Sequence, residues 1–269
     1  MSVHPLTVPP RPKGPLAGVG VLVTRPVRQA AMLLRELAAL DAKTVAFPAI
    51  VILPPRDATS LARVHAALAS YDAAIFVSGN AAEYGVPPAR TWPATLPVFA
   101  TGPGTASALA AVGVGQARVP AASYDSEGLL ALPELTAVLG KRIAIFRGEG
   151  GRDHLARTLR ERGAHVDYAE CYRRASPESG GAGLDAAILG GRVQATTVTS
   201  SEGLDNLCRL LTVPARERLL RTPVFVPHPN IAAHARSQGF EAIVTDAGDA
   251  GLVAGLLKWF AAHPVADPG

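Results

Sequence analysis

The stretch RIAIFRGEGGRDHLARTLRERGAHVDYAECYRR, Arg142 to Arg174, reads as strand, glycine turn, helix and strand. Ile143, Ile145 and Phe146 make a short apolar run, and Gly148, Gly150 and Gly151 interrupt it. Leu155 and Leu159 then mark a helical face closed by Gly163, and Val166 to Tyr172 is the second apolar run. The unit occurs twice. At a lag of 122 residues Val21 matches Ile143, Val23 Ile145, Arg25 Arg147, Leu33 Leu155, Arg35 Arg157, Leu37 Leu159 and Ala42 Ala164.

Working outward, the repetition continues. Val77-Ser78-Gly79 falls on Thr199-Ser200-Ser201 at the same lag, and Pro97-Val98-Phe99 on Pro223-Val224-Phe225 at a lag of 126 residues. Pro103, Ala106 and Gly113 match Pro229, Ala232 and Gly239 at that second lag. Short apolar runs alternate with helical stretches throughout, which argues for parallel sheets covered on both faces. The expected elements include one strand over Val45–Leu53, a helix from Ser126 through Leu139 and a last amphipathic helix over Ala250–Ala262. An internal duplication therefore predicts two similar doubly wound α/β domains. Pro54-Pro55 and the Ser176-Pro177 to Gly183 stretch both follow the repeated unit, while the join near Gly140 is tight. Linkers at those two places mean that the halves are exchanged.

Composition narrows the function. At 269 residues, 48% of them hydrophobic, the chain buries sizeable cores. Residues 1–15, with Pro5, Pro9, Pro10, Pro12 and Pro15, have no apolar core of a signal peptide and read as a flexible tail. No run reaches membrane-spanning length, so a cytoplasmic location is the expectation. Cys171 and Cys208 form no CxxC pair and have no adjacent histidine, so neither a disulfide framework nor a zinc site is expected. A net charge of +4 with scattered basic residues does not match a nucleic-acid binder; an anionic small molecule fits better.

Chemistry is sought at the strand-to-helix turns, where helix amino termini present free N–H groups and partial positive charge. Five turns are rich in small polar residues: Arg25-Pro26, Ser78-Gly79-Asn80, Thr101 to Thr105, Arg147 to Gly151, and Thr199-Ser200-Ser201. Two domains presenting such turns inward make a cleft for several carboxylates or phosphates; the plain alternative is that these residues only cap helices. Nucleotide motifs are broken: GEGGRD and TGPGTAS lack the third glycine of GxGxxG, and no GxxxxGK[ST] occurs. There is no HExxH and no GxSxG. Asp246 and Asp249 read as turn residues. Tyr172, a phenol at a strand end beside a linker, is able to give a proton to a leaving hydroxyl; the competing reading is an aromatic covering the sheet edge.

From Gly18 to Phe260 the chain resembles uroporphyrinogen-III synthases. The likeness rests on VLVTRP at Val21, IFVSGNA at Ile75, VFATGPGTASAL at Val98, SEGLL at Ser126, the RGEGGRDHLARTLRERGA unit with AECYRR, VTSSEGL at Val198, and the Phe225 to Phe240 segment. The resemblance implies exchanged, flavodoxin-like domains joined by a two-stranded linker. Their expected bounds are 16–50 plus 179–269 for the first and 55–172 for the second, with linkers at 51–54 and 173–178. It implies a monomeric, cofactor-free, metal-free hydro-lyase. That enzyme closes linear hydroxymethylbilane to uroporphyrinogen III with loss of water and inversion of ring D, in tetrapyrrole (haem) biosynthesis. The alternative is a non-catalytic two-domain binder of a tetrapyrrole or other polyanion. Nucleic acid and membrane are not expected partners.

On the matching positions the resemblance makes Tyr172 the residue that assists hydroxide departure, with Ser78, Asn80, Thr105 and Ser200 lining the cleft. Arg25, Thr101, Arg147 and Ser201 join them from the turns read above. One segment departs from the family pattern: in Pro227-His228-Pro229-Asn230-Ile231, Ile231 stands opposite Thr105 and a hydroxyl is missing. His228 and Asn230 are the expected substitutes.

Overall fold

The computed structural model describes residues 14–87, 92–178 and 181–265, and divides into two compact units, Met1–Val51 with Ser176–Gly269, and Ile52–Ala175. Most of the expected tail lies outside the described residues. Where description begins, the chain is already docked: the Gly14 N–H donates to Asp41 Oδ2, and Leu16 is fully buried.

In chain order the first unit opens with β1 (Gly20–Val23), α1 (Val27–Ala39) and β2 (Lys43–Ala46). The second unit follows with β3 (Val51–Leu53), α2 (Thr59–Ala66), β4 (Ala73–Phe76), α3 (Gly79–Gly85), β5 (Val98–Ala100) and α4 (Pro103–Ala111). It continues through α5 (Ser126–Leu130), α6 (Pro133–Thr136), β6 (Arg142–Gly148), α7 (His154–Glu161) and β7 (His165–Ala175). The chain then returns to the first unit with α8 (Ala182–Leu189), β8 (Ala195–Thr197), α9 (Ser201–Leu210), α10 (Val213–Leu219), β9 (Val224–Val226), α11 (Pro229–Ser237), β10 (Ala242–Val244) and α12 (Gly248–Ala262).

Two expectations are corrected. The single strand over Val45–Leu53 is two strands on two different sheets, because Pro48 has no N–H to give a ladder and the chain leaves β2 there. The helix expected from Ser126 to Leu139 is two short helices, because Pro133 begins a new one with Leu132 extended before it.

The first sheet has the order β10-β9-β8-β1-β2, with every neighbouring pair parallel. The second has the order β3-β7-β6-β4-β5, and β7, β6, β4 and β5 are mutually parallel. Renumbered by the duplication, both read 2-1-3-4: β2-β1-β8-β9 in one and β7-β6-β4-β5 in the other. Arg118 bridges Phe99 where β10 lies in the first unit. Each sheet thus combines one half's strand-helix-strand unit with the other half's remainder, which is the exchange that the linker positions implied.

Both faces of each sheet are buried. Val21, Val23, Leu33, Leu37, Phe225 and Leu256 pack on one face of the first sheet, and Leu22, Val198, Leu204, Val224 and Val226 on the other. Phe76 stacks on Phe146 in the second unit, with ring centroids 4.3 Å apart. Burial of such a side chain is worth about 1.5–3 kcal/mol, so the strand centres are fixed and the turns at their ends are free to vary. The strand order reverses between β1 and β8 in one unit and between β6 and β4 in the other. Ligands of such sheets sit outside the carboxyl ends of the strands at that reversal.

Candidate functional site

At the reversal point of the second unit, β6 ends at Gly148 and β4 runs into Ser78, which caps α3 by accepting the Ala81 N–H at 3.1 Å. The partner strand β7 carries an irregularity here. Arg147 pairs with Glu170 but Gly148 pairs with Tyr172, so Cys171 is passed over. A regular strand would send Cys171 and Tyr172 to opposite faces. The bulge turns both inward, leaving them 1% and 3% exposed.

The re-aimed phenol lies 3.1 Å from the Ser78 hydroxyl. Ser78 Oγ already accepts from Ala81, so its own hydrogen is free to go to the phenol oxygen, which leaves the Tyr172 hydrogen for an incoming oxygen. Gly148 makes the space. A Cβ there would sit 2.8 Å from Tyr172 Cζ and 2.9 Å from Cε2. The turn is tied to the strand from its other side, because the Glu149 N–H donates to the Tyr172 carbonyl at 2.7 Å and the Glu149 carboxylate accepts from the Arg56 N–H.

Arg147 is 7% exposed and spends its donors inside its own turn. Nε reaches the Gly148 carbonyl at 3.3 Å, Nη1 Asp153 Oδ1 at 3.0 Å, and Nη2 the Gly150 carbonyl; the guanidinium also lies 4.5 Å from the Tyr168 ring centroid. Hydrogen bonds from Arg147 and from the Tyr168 hydroxyl hold the Asp153 carboxyl below the usual carboxylate range. Burial pushes the Cys171 thiol up to about 12, and its Sγ donates to the Arg147 carbonyl at 3.1 Å. The cysteine is packing, without the exposure and cationic neighbours of a reactive thiol.

The first unit repeats this edge with different chemistry. Ser200 caps α9 by accepting the Gly203 N–H at 3.0 Å, as Ser78 caps α3. Arg25, the counterpart of Arg147, is also ion-paired, to Asp249 at the start of α12. Asp249 read as a turn residue in the sequence; it lies 224 positions from Arg25, so no local pattern reveals the pair. Both arginines therefore lock turns. At the lag of 122 residues Tyr172 falls on Ile50, which is buried beside Gly203. The phenol exists in one unit only.

The remaining expected residues lie at neighbouring carboxyl ends. Thr101 and Thr105 share a hydrogen bond of 3.3 Å across the first turn of α4. Asn80 stands in the first turn of α3 and Ser201 in that of α9. His228 is exposed and caps α11, with Nδ1 accepting the Asn230 N–H at 3.1 Å. That bond places the proton of the neutral ring on Nε2. Ile231 packs on the core, so the hydroxyl that Thr105 supplies in one repeat has no equivalent in the other. Ser78 and Tyr172 thus meet directly, Thr101 meets Thr105, and His228 shares a turn with Asn230. Gly148 and Glu149, which complete the phenol site, carry no sequence signal beyond a glycine-rich turn. Among the described residues no three His, Cys, Asp or Glu side chains converge as metal ligands, and no helix is long and apolar enough to cross a membrane.

Comparison with known proteins adds an independent line. The family model described as "Uroporphyrinogen-III synthase HemD" matches residues 32–251. The uroporphyrinogen-III synthase of Salmonella typhimurium is 35% identical over 237 residues, covering 86% of this chain and 96% of that protein. That of Synechococcus elongatus is 29% identical, covering 73% and 76%. Among solved structures, a mutant uroporphyrinogen III synthase of Thermus thermophilus superposes with a TM-score of 0.59 at 19% identity, covering 91% of this chain and all of that one. A Helicobacter pylori uroporphyrinogen-III synthetase does so with 0.60 at 12% identity, covering 90% and 99%.

Proposed function

Because the chain belongs to the uroporphyrinogen-III synthase family, it is a cyclising hydro-lyase of tetrapyrrole biosynthesis, and we propose that Tyr172 is the acid of its dehydration step. The substrate is linear hydroxymethylbilane and the product uroporphyrinogen III. In this reading the lone pair of the ring A nitrogen expels the terminal hydroxyl, the C–O bond breaks, and the hydroxyl leaves as water with the Tyr172 proton. Ser78 donates to the phenolate oxygen as the charge develops there. The proton released when the pyrroles regain aromaticity returns to the phenolate. General acid assistance of this kind is worth about 10²–10⁴ in rate.

The single observation that supports the reading is the Ser78–Tyr172 pair at the reversal point of the second unit, with Ile50 at the equivalent place in the first. Only one unit carries a proton donor at this position; the other offers capping groups alone. The acetate and propionate groups are taken up at the turns. Ser78, Asn80, Thr101 and Thr105 serve in the second unit, and Ser200, Ser201, His228 and Asn230 in the first. Arg25 and Arg147 act at longer range, holding the turns in shape and supplying positive potential. Many weak donors in place of one clamp suit a flexible octacarboxylate, whose closure is mostly a matter of orientation.

The same proposal sets the domains at 16–50 plus 179–269 and at 55–172, with linkers at 51–54 and 173–178. Division of the structure after Val51 and after Ala175 supports those bounds. It also makes the protein a cytoplasmic monomer, with no nucleic-acid or membrane partner. The test is isomer analysis after enzymatically made hydroxymethylbilane is supplied. The wild type yields the type III product and Tyr172→Phe yields mainly the spontaneous type I product. Equal turnover by both enzymes removes the assigned role.

A further inference from the structure

The amino-terminal edge of the first unit's sheet, under α12, holds a cavity of about 360 Å³ lined by Gln194, Arg218, Arg221, Thr222, Trp259 and His263 among others. The duplication supplies its own control, because the second unit has a cavity of about 160 Å³ at the equivalent place. Asp72 and Pro97 line that one where Gln194 and Pro223 line the first, in keeping with the lags of 122 and 126 residues.

The two cavities differ in charge. In the second unit two cations, Arg118 and Lys141, face two carboxylates, Asp72 and Glu134. Arg118 is paired to Glu134 at 3.1 Å, and its guanidinium sits 5.5 Å from the Phe99 ring centroid. Among the described residues the first unit's cavity has Arg218, Arg221 and His263 and no carboxylate. The loss of Asp72's charge is specific: Asp72 accepts the Arg142 N–H at 2.8 Å, and Gln194 accepts the equivalent Gly20 N–H at 2.5 Å. The structural bond is kept and the negative charge is gone. Among the described residues neither Arg218 nor Arg221 has an ion-pair partner.

The other wall is aromatic. Trp259 stacks on His263 with ring centroids 4.0 Å apart and planes 17° from parallel, and Phe260 also lines the cavity. Guanidinium groups recognise carboxylates through paired N–H donors, and aromatic walls hold flat rings. A volume of this size stands near the lower end for small-molecule sites, about 300–1,000 Å³. It suits a compound of about one ring.

We propose that this cavity binds a flat single-ring compound carrying one or two carboxylates, at the sheet edge opposite the turns that serve the reaction. The proposal stands apart from the reading of those turns. It is tested by calorimetric titration of the intact protein with benzene-1,3-dicarboxylate, with inorganic phosphate as the bare anion. Saturable binding with Kd of about 0.1–1 mM is expected, phosphate binding at least ten-fold weaker. Arg218→Gln with Arg221→Gln should weaken the dicarboxylate at least ten-fold, leaving the melting temperature and the closure of hydroxymethylbilane unchanged. The proposal is overturned by absence of saturable binding, by equal affinity in the double variant, or by phosphate binding as tightly as the ring compound.

Discussion

Replacing Gly148 by alanine tests the phenol site without removing either of its hydroxyl groups. The added Cβ stands 2.8 Å from Tyr172 Cζ, and ordinary contact begins at 3.4 Å, so the ring has to retreat by about 0.6 Å. The Tyr172–Ser78 hydrogen bond is 3.1 Å long. A retreat of that size along it reaches about 3.7 Å, beyond the length at which a hydroxyl pair is bonded. The phenol is 3% exposed and packed in the core, so the movement is resisted. Overpacking of this kind costs about 1–3 kcal/mol of stability, and misplacing a catalytic group by about 1 Å costs about 10²-fold in rate. The expected variant is folded, melts lower, and closes hydroxymethylbilane about 10–100-fold more slowly, with the isomer ratio shifted toward type I. Denaturant unfolding and product chromatography read the two effects separately. A destabilised variant with wild-type kcat and isomer ratio would show that the phenol's position does not matter, and would refute the reasoning. Gly183→Ala is the control: nothing lies within 4 Å of its Cβ and it sits inside α8, so it should gain about 0.5–1 kcal/mol at unchanged activity.

Other outcomes follow from the same geometry. Tyr172→Phe keeps the ring and loses about 1 kcal/mol of hydrogen bonding, so kcat should fall by about 10²-fold or more with substrate affinity nearly unchanged. Ser78→Ala removes both the helix cap and the partner of the phenol; about 1 kcal/mol of stability should go, and kcat should fall because the phenol loses the hydroxyl that holds it in place. Asp153 is held below its ordinary pKa in the folded state, so its contribution is present above the unfolded value near pH 4 and is lost as pH falls through the lowered folded value. Asp153→Asn should therefore lower stability at neutral pH and flatten the acid limb of a stability–pH curve, and an unchanged limb would remove the Arg147–Asp153 tie. Cys171, with its thiol pushed up to about 12, should resist a maleimide at pH 8 in the native protein and react only on unfolding.

The sequence by itself determined the architecture. The lags of 122 and 126 residues match β1 with β6 and β5 with β9, because an internal duplication preserves the apolar positions that two buried sheets require. The prolines beyond the repeated unit were enough to imply exchange. The capping serines Ser78 and Ser200 were legible too, since a hydroxyl before a helix has a local purpose. Tertiary structure decided what those signals mean chemically. Arg25 and Arg147 read as cations open to a carboxylate, yet Asp249, distant in sequence, and Asp153, in the same turn, pair with them, and only packing selects those partners. The break at Pro48 divides one apolar run between two sheets, which period alone does not disclose. Most of all, the bulge opposite Gly148 turns Tyr172 inward onto Ser78, 94 positions away. A one-residue change of register flips a side chain from one face of a sheet to the other, and that register is set by the partner strand, which the sequence of β7 does not contain.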